Sequence, residues 1–360
     1  MWEQFQQLAQ FVASEEDSGD AGTSLSFSTI EAYHELVYLY DRAVQPWTAV
    51  ADKDALAKFL PIRRYIDDYH RTIYMMRAMC RSITAHEESR LSGPIRVVEA
   101  GCGSGFLAAV ALALSERVVG EAYDALPVMI DATTQLLGSL GQLGRTRVMV
   151  RDLIRDGVPG RVDTLVAEHL VPGLFEEPCI QIPRAVEDID PVHMIPFAVL
   201  PSVFLYAGGE HIQLDRGRRI VLADKNGLEH FTVHGQLPIH GKRVVCINVG
   251  NDIWWAENSR YQPLYQPSTG REGNIEYPHN HLLGFVPLRP HKNSKDRYAL
   301  CNPARECRQV YYTVDYPLGG QYDNTQIQPQ FVVANGDAIL TDTVFCYDRL
   351  PVVGGYDIGQ

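Results

Sequence analysis

Val97-Val98-Glu99-Ala100-Gly101-Cys102-Gly103-Ser104-Gly105-Phe106 passes from an apolar stretch through an acid into three alternating glycines. It then opens into the longest uninterrupted apolar run of the chain, the nine residues from Phe106 to Leu114. That order reads as strand, tight turn and helix. Glycines let the backbone turn sharply and approach a ligand that any Cβ would exclude. The spacing is G-x-G-x-G, not the G-x-G-x-x-G of a dinucleotide pyrophosphate loop, and there is no Lys-Ser or Lys-Thr to make a P-loop. The ligand of such a loop need not carry phosphate.

Working outward, a second strand at 117–122 completes a βαβ unit and predicts a parallel sheet. A helix over 126–140 and strands over 147–150 and 164–168 continue it. The second strand leads to Asp124, whose carboxylate is placed to accept both hydroxyls of a ribose, and the third leads to Arg151-Asp152. Upstream, helices are expected over 30–44 and 63–85, the latter with Ile66, Ile73, Met76 and Cys80 at a roughly helical period. Residues 1–13 set Trp2, Phe5, Leu8 and Phe11 at helical spacing, and a polar, acidic linker follows over 14–24. Beyond about Pro183 the helix–strand alternation stops, and short β-rich runs such as 197–206, 219–223, 243–249 and 331–333 are punctuated by Gly, Pro and Asn. The expected division is an N-terminal helical segment at 1–62, an α/β Rossmann-like domain at 63–180, and an antiparallel β-barrel-like domain at 181–360.

A chain of 360 residues with 46% hydrophobic and 21% charged side chains has ample material for large cores. Its 44 acidic and 32 basic residues give a formal charge of -12, which repels phosphate backbones and anionic lipid and disfavours nucleic acid as a partner. A nine-residue apolar run is far short of the roughly twenty residues of a bilayer-spanning helix, and the N-terminus lacks the basic region of a secretory signal. Seven cysteines without a Cys-x-x-Cys suggest reduced thiols in a cytoplasm. Neither Cys301 with Cys307 nor His279 with His281 has a partner pair at zinc-finger spacing, so no metal is expected.

The run from Ala167 to Glu177 begins at a strand end and carries Glu168 and Glu177 nine residues apart, with Pro172 and Gly173 between them. Such a loop can double back and bring both carboxylates towards one point. Two facing acids repel unless a cation lies between them, and a planar guanidinium with five N–H donors fits that place. A single strand-end acid beside a solvated Glu176-Glu177 pair is the plainer alternative.

Four stretches have familiar form. The E-x-G-x-G-x-G run and the Ala122-Tyr123-Asp124 segment with Pro127 and Met129 resemble the first motifs of class I S-adenosylmethionine-dependent methyltransferases. The spacing of Glu168 and Glu177 is similar to the double-glutamate loop of the protein arginine methyltransferase (PRMT) family. Upstream, Asp68-Tyr69-His70-Arg71-Thr72 matches that family's Asp-x-x-Arg-Thr helix. The resemblance covers about residues 63–178. It implies S-adenosylmethionine as cofactor, with Arg71 at its carboxylate, Glu99, Gly101, Gly103 and Gly105 around its amino acid end, Asp124 at the ribose and Asp152 near the adenine. It further implies Glu168 and Glu177 as the catalytic acids and a homodimer as the assembly.

The chain also departs from that pattern. No Tyr-Phe-x-x-Tyr cover helix is recognisable just before Asp68, which leaves Tyr33, Tyr38 and Tyr40 as candidates for cover. The family's Thr-His-Trp loop is replaced by a diverged run from Arg305 to Tyr312, with Glu306 and Cys307 in place of His and Trp, and Trp254-Trp255 is a second aromatic candidate. These departures fall on the acceptor side and shift the expected acceptor towards free L-arginine, as in natural-product pathways, over arginine in proteins or peptides. The rival expectations are a class I methyltransferase for another small acceptor and a non-catalytic scaffold.

Overall fold

The computed structural model describes residues 1–14, 25–89, 92–169, 181–207, 210–216, 220–223, 231–238, 244–257, 259–261, 284–287, 309–316, 331–335 and 338–342. Four helices come first: α1 (Trp2–Ser14), α2 (Phe27–Thr48), α3 (Lys53–Arg63) and α4 (Tyr69–Glu88), with a 3-10 turn at Arg64–Asp67. The side chain of Ser26 accepts from the Thr29 amide to start α2, and that of Asp68 accepts from the Arg71 amide to start α4, so both helices open on polar caps. The expected single helix over 63–85 is therefore broken at Asp68, whose carboxylate serves the orphan amides of a new helix instead of continuing the old one.

The alternating part follows as β1 (Ile95–Ala100), α5 (Phe106–Leu114), β2 (Val118–Asp124), α6 (Pro127–Ser139), β3 (Thr146–Val150), α7 (Leu153–Asp156), β4 (Val158–Val162), β5 (Thr164–Val166), α8 (Gln181–Ala185), β6 (Val186–Ile189) and β7 (Met194–Ile195). Five of these strands form a parallel, Rossmann-like sheet in the order β3-β2-β1-β5-β7. Val98 lies opposite Glu121 on one side and Leu165 on the other. The order reverses between β1 and β5, and a crevice at the carboxyl ends of strands where the order reverses is where such sheets hold ligands. Helical and parallel-strand structure thus runs past residue 183, where the sequence pattern loses its alternation, because α8 and β7 are only five and two residues long.

Helix α5 spans the same nine residues as the apolar run, and it is buried on nearly every side. A helix apolar all round needs cover on all faces. The sheet supplies one side and the N-terminal helices the other, with Phe5, Tyr33 and Tyr40 placing their rings edge-on to Phe106 at 6.4, 6.2 and 5.5 Å. The buried stripe of α1 is Phe5, Ala9, Val12 and Ala13; Phe11, expected on the inner face, is exposed.

After β7 the strands turn antiparallel. β8 (Ala198–Ala207), β9 (Glu210–Arg216), β10 (Ile220–Val221), β12 (Val244–Ala256), β13 (Ser259–Tyr261) and β14 (Gly284–Pro287) form one sheet. A second contains β11 (Phe231–Pro238), β15 (Gln309–Tyr316), β16 (Phe331–Asn335) and β17 (Ala338–Asp342). Among the described residues, no helix is long and apolar enough to cross a membrane.

Candidate functional site

A cavity of about 290 Å³ lies at the carboxyl ends of β1, β2 and β5, at the lower edge of the size class of small-molecule sites. Arg71, Glu99, Gly101, Gly103, Asp124, Asp152 and Glu168 all line it, so residues far apart in sequence, from 71 to 168, converge on one space. Gly105 does not line it. Glu177 and Arg305–Arg308 lie outside the described residues; Trp254 and Trp255 fall on β12, and Gln309–Tyr312 open β15.

The glycine loop is shaped by backbone. Gly101, Gly103 and Gly105 have φ of +68°, +50° and +74°, a region that a Cβ disfavours. The Cys102 amide donates to Tyr123 O at 2.8 Å and the Gly103 amide donates to Asp124 Oδ2 at 2.9 Å, which ties the loop across to the end of β2. What a Cβ would strike is the protein itself: His169 at Gly101, Ile62 at Gly103 and Thr133 at Gly105. The sequence reading of all three glycines as clearance for a ligand is therefore incomplete, because each also clears a side chain of this chain.

Glu99, the penultimate residue of β1, is 6% exposed. Burial pushes its carboxyl well above the usual carboxylate range; a hydrogen bond from the Ala108 amide, in the first turn of α5, opposes this, and nearby Asp124 adds to it. Its Oε2 has no hydrogen-bond partner. A buried acid with one oxygen engaged and the other open suits a donor or cation arriving from the cavity.

Asp124 accepts the Gly103 amide on Oδ2 and the Leu126 amide on Oδ1, at 2.9 and 2.8 Å. A carboxylate has about four acceptor positions, so two remain for a ligand's hydroxyls. Asp152 is exposed and caps α7 by accepting from Ile154 and Arg155 amides, with the cavity at its side.

Arg71 is 3% exposed and stands between the two motifs. Its Nη1 is 3.1 Å from Glu168 Oε2, its Nη2 donates to Tyr65 O at 2.8 Å, and its Nε is 3.8 Å from Asp68 Oδ2. Burial works against the buried charge, but Glu168 and Asp68 outweigh it, and the guanidinium is held more firmly protonated than usual. The guanidinium also lies over the Tyr65 ring, 5.2 Å from its centroid.

The expected tyrosine cover is not where the sequence pattern put it. Tyr33 and Tyr40 are buried in the packing around Phe106, with Tyr33 donating to Ile66 O and Tyr40 donating to Ser104 O, and Tyr38 is exposed. None of the three lines the cavity. Cover comes instead from Ile62 at the end of α3 and from Tyr65 and Ile66 in the 3-10 turn. Tyr65 stands three residues before the Asp68–Thr72 match, and its aromatic character is the only signal the sequence offers.

The chain matches no family model and no curated protein sequence. Among solved structures it is similar to PRMT6, at 12% identity over 72% of this chain and 94% of that one, with a TM-score of 0.41. It is also similar to the Trypanosoma brucei PRMT1 enzyme-prozyme heterotetrameric complex with AdoHcy, at 14% identity over 75% and 96%, with a TM-score of 0.44. The StiE O-MT structure matches at 20% identity over 32% of this chain and 39% of its own, with a TM-score of 0.22. At such values the likeness assigns neither activity nor ligand to this chain.

Proposed function

We propose that this protein is an S-adenosylmethionine-dependent methyltransferase that transfers a methyl group to a guanidinium nitrogen of arginine. The observation that carries the reading is the convergence of Arg71, Glu99, Asp124 and Glu168 with the glycine loop on one cavity at the carboxyl ends of the parallel strands. The donor set suits this cofactor: a guanidinium for its carboxylate, a buried acid with an open oxygen for its ammonium, a second acid for its ribose hydroxyls, and no requirement for phosphate.

When bound, S-adenosylmethionine supplies an electrophilic sulfonium methyl. Arginine is protonated at neutral pH and its nitrogens are weak nucleophiles, so the chain must orient the acceptor and polarise it. Glu168 spends Oε2 on Arg71 and leaves Oε1 for an incoming guanidinium. Together with Glu177, it would draw positive charge away from the attacking nitrogen and hold that nitrogen in line. Formation of the N–C bond would be matched by loss of the methyl–sulfur bond, the sulfur departing as the neutral thioether of S-adenosylhomocysteine, and the proton lost from the nitrogen would pass to a carboxylate and then to water. Free L-arginine is the favoured acceptor over peptidyl arginine, because the departures from the family pattern fall on the acceptor side.

The test offers S-adenosylmethionine with free arginine, an Arg-Gly-rich peptide or a histone tail, and reads methylation by mass spectrometry. Methylation of free arginine is expected. Transfer to no guanidine, with transfer to a phenol or carboxylate, would replace the acceptor class; absence of cofactor binding in calorimetry would sink the enzymatic reading altogether.

A further inference from the structure

The turn after β5 and the glycine loop meet through a side chain to which neither motif assigns a role. His169 Nε2 lies 2.9 Å from the carbonyl oxygen of Ala100, and because a carbonyl only accepts, Nε2 carries the proton in this contact. The same ring fills the space beside Gly101, where a Cβ would fall 2.3 Å from His169 Cε1 and 2.4 Å from Nε2. The backbone around it is equally tied. The Ala167 amide donates to Ile195 O at 2.8 Å, and the His169 amide donates to Ala167 O at 3.2 Å. Glu168 is thus the middle residue of a three-residue turn, held by β7 on one side and, through the imidazole, by β1 on the other.

We propose that His169 is a positioning residue that clamps this turn to the glycine loop, so that Glu168 is presented to the acceptor at a fixed distance from the cofactor side. The proposal rests on the reading of Glu168 as an acceptor-binding carboxylate. A long-range ion pair with Arg71 keeps the carboxylate in the cavity but does not fix its rotation, whereas the imidazole bond fixes the backbone from which it projects. The clamp also explains Gly101: the position is glycine because the ring lies against its Cα as well as because φ is positive.

Four variants test it, His169→Ala, His169→Gln, Gly101→Ala and the double Gly101→Ala/His169→Ala, each read by acceptor kinetics, S-adenosylhomocysteine calorimetry and thermal unfolding. His169→Ala should lower acceptor kcat/KM by about 100-fold, the penalty of a misplaced reacting group, with S-adenosylhomocysteine affinity unchanged. His169→Gln carries an amide N–H able to reach the same carbonyl and should recover most of that loss. Gly101→Ala should weaken S-adenosylhomocysteine binding, and the double variant should regain part of it because the clash is gone. Wild-type kinetics in His169→Ala would overturn the clamp. So would equal losses in the Ala and Gln variants with a matching fall in unfolding temperature, or a Gly101→Ala effect of the same size in both backgrounds. Should the wild type bind S-adenosylhomocysteine but methylate no guanidine, the acceptor reading fails, and the Gly101–His169 cycle, which reads binding alone, still decides the clamp.

Discussion

The loop after β1 and the turn after β5 face the same cavity but are built in different ways. The glycine loop is a backbone object: three left-handed residues, hydrogen bonds donated by its amides to Tyr123 O and Asp124 Oδ2, and the chain's own side chains packed where Cβ atoms would go. The acid turn is a side-chain object, held by the Arg71–Glu168 pair and by His169. The difference predicts opposite sensitivities. The first should fail when any atom is added, and the second when a charge or donor is taken away.

The largest effect is expected at Arg71, which faces both regions. Arg71→Met would leave Glu168 and Asp68 near each other without their shared cation, and removing one partner of a buried pair costs about 3–5 kcal/mol. Urea unfolding measures the loss. A variant within about 1 kcal/mol of wild type would mean that the pair is screened and that the acid turn stands without it. Next comes Glu168→Gln, which keeps the shape and a neutral acceptor for Arg71 but removes the charge that the proposed guanidinium acceptor would meet. Turnover should fall about 10²–10³-fold, the scale for losing one preorganised electrostatic group, with S-adenosylhomocysteine affinity nearly intact. A variant retaining more than about a tenth of wild-type activity takes Glu168 out of that role.

A smaller contrast tests the backbone half. Gly105 and Gly141 have nearly the same φ, +74° and +72°, but an added Cβ meets Thr133 Oγ1 at 2.6 Å in the first and nothing within 4 Å in the second. Each change to alanine carries about 1–2 kcal/mol of backbone strain, and only Gly105→Ala adds about 1–3 kcal/mol of overpacking. Gly141→Ala should therefore keep cofactor binding and lose only that strain, about 1–2 kcal/mol, while Gly105→Ala weakens binding and loses the overpacking energy as well. Equal unfolding temperatures for the two would show that the loop has room to relax.

The same contrast explains what the sequence made legible. Strand β1, the glycine loop, α5 and Asp124 are read from consecutive residues, because backbone turns and apolar runs are local signals. The partners of Glu168 are not local: Arg71 lies on α4, and the carbonyl that receives His169 belongs to Ala100, 69 residues away. Helix α3 left no apolar stripe to detect, since Phe59 is its only buried side chain, and Pro61 sits inside it. Strand β7 was too short to announce itself. Residue type alone makes Tyr33 and Tyr40 candidates for the cavity, but their rings pack on Phe106 instead.

The smallest effect separates the two regions by pH. His193 precedes β7, whose Ile195 carbonyl receives the Ala167 amide of the acid turn. Its ring is 4.1 Å from that of His86, and its Nδ1 is 2.9 Å from Ser82 Oγ. Burial first, and then His86, hold its pKa below the ordinary 6.5; Arg161 acts in the same direction, and Asp190 and Asp163 oppose it. The folded state thus binds this proton less readily than the unfolded chain. The contribution to stability is fully present above about pH 6.5 and declines as the pH falls through that value towards the lower folded pKa, because the unfolded chain takes up its proton first. The strain falls on the β7 side, so the Ala167 amide should lose hydrogen-exchange protection between about pH 7 and pH 5, after correction for intrinsic rates, while the Gly105 amide, bonded to Cys102 O within the glycine loop, does not. His193→Gln should flatten the Ala167 profile. Equal loss at both amides would mean that the two regions open as one unit and that the side-chain and backbone halves are not independent.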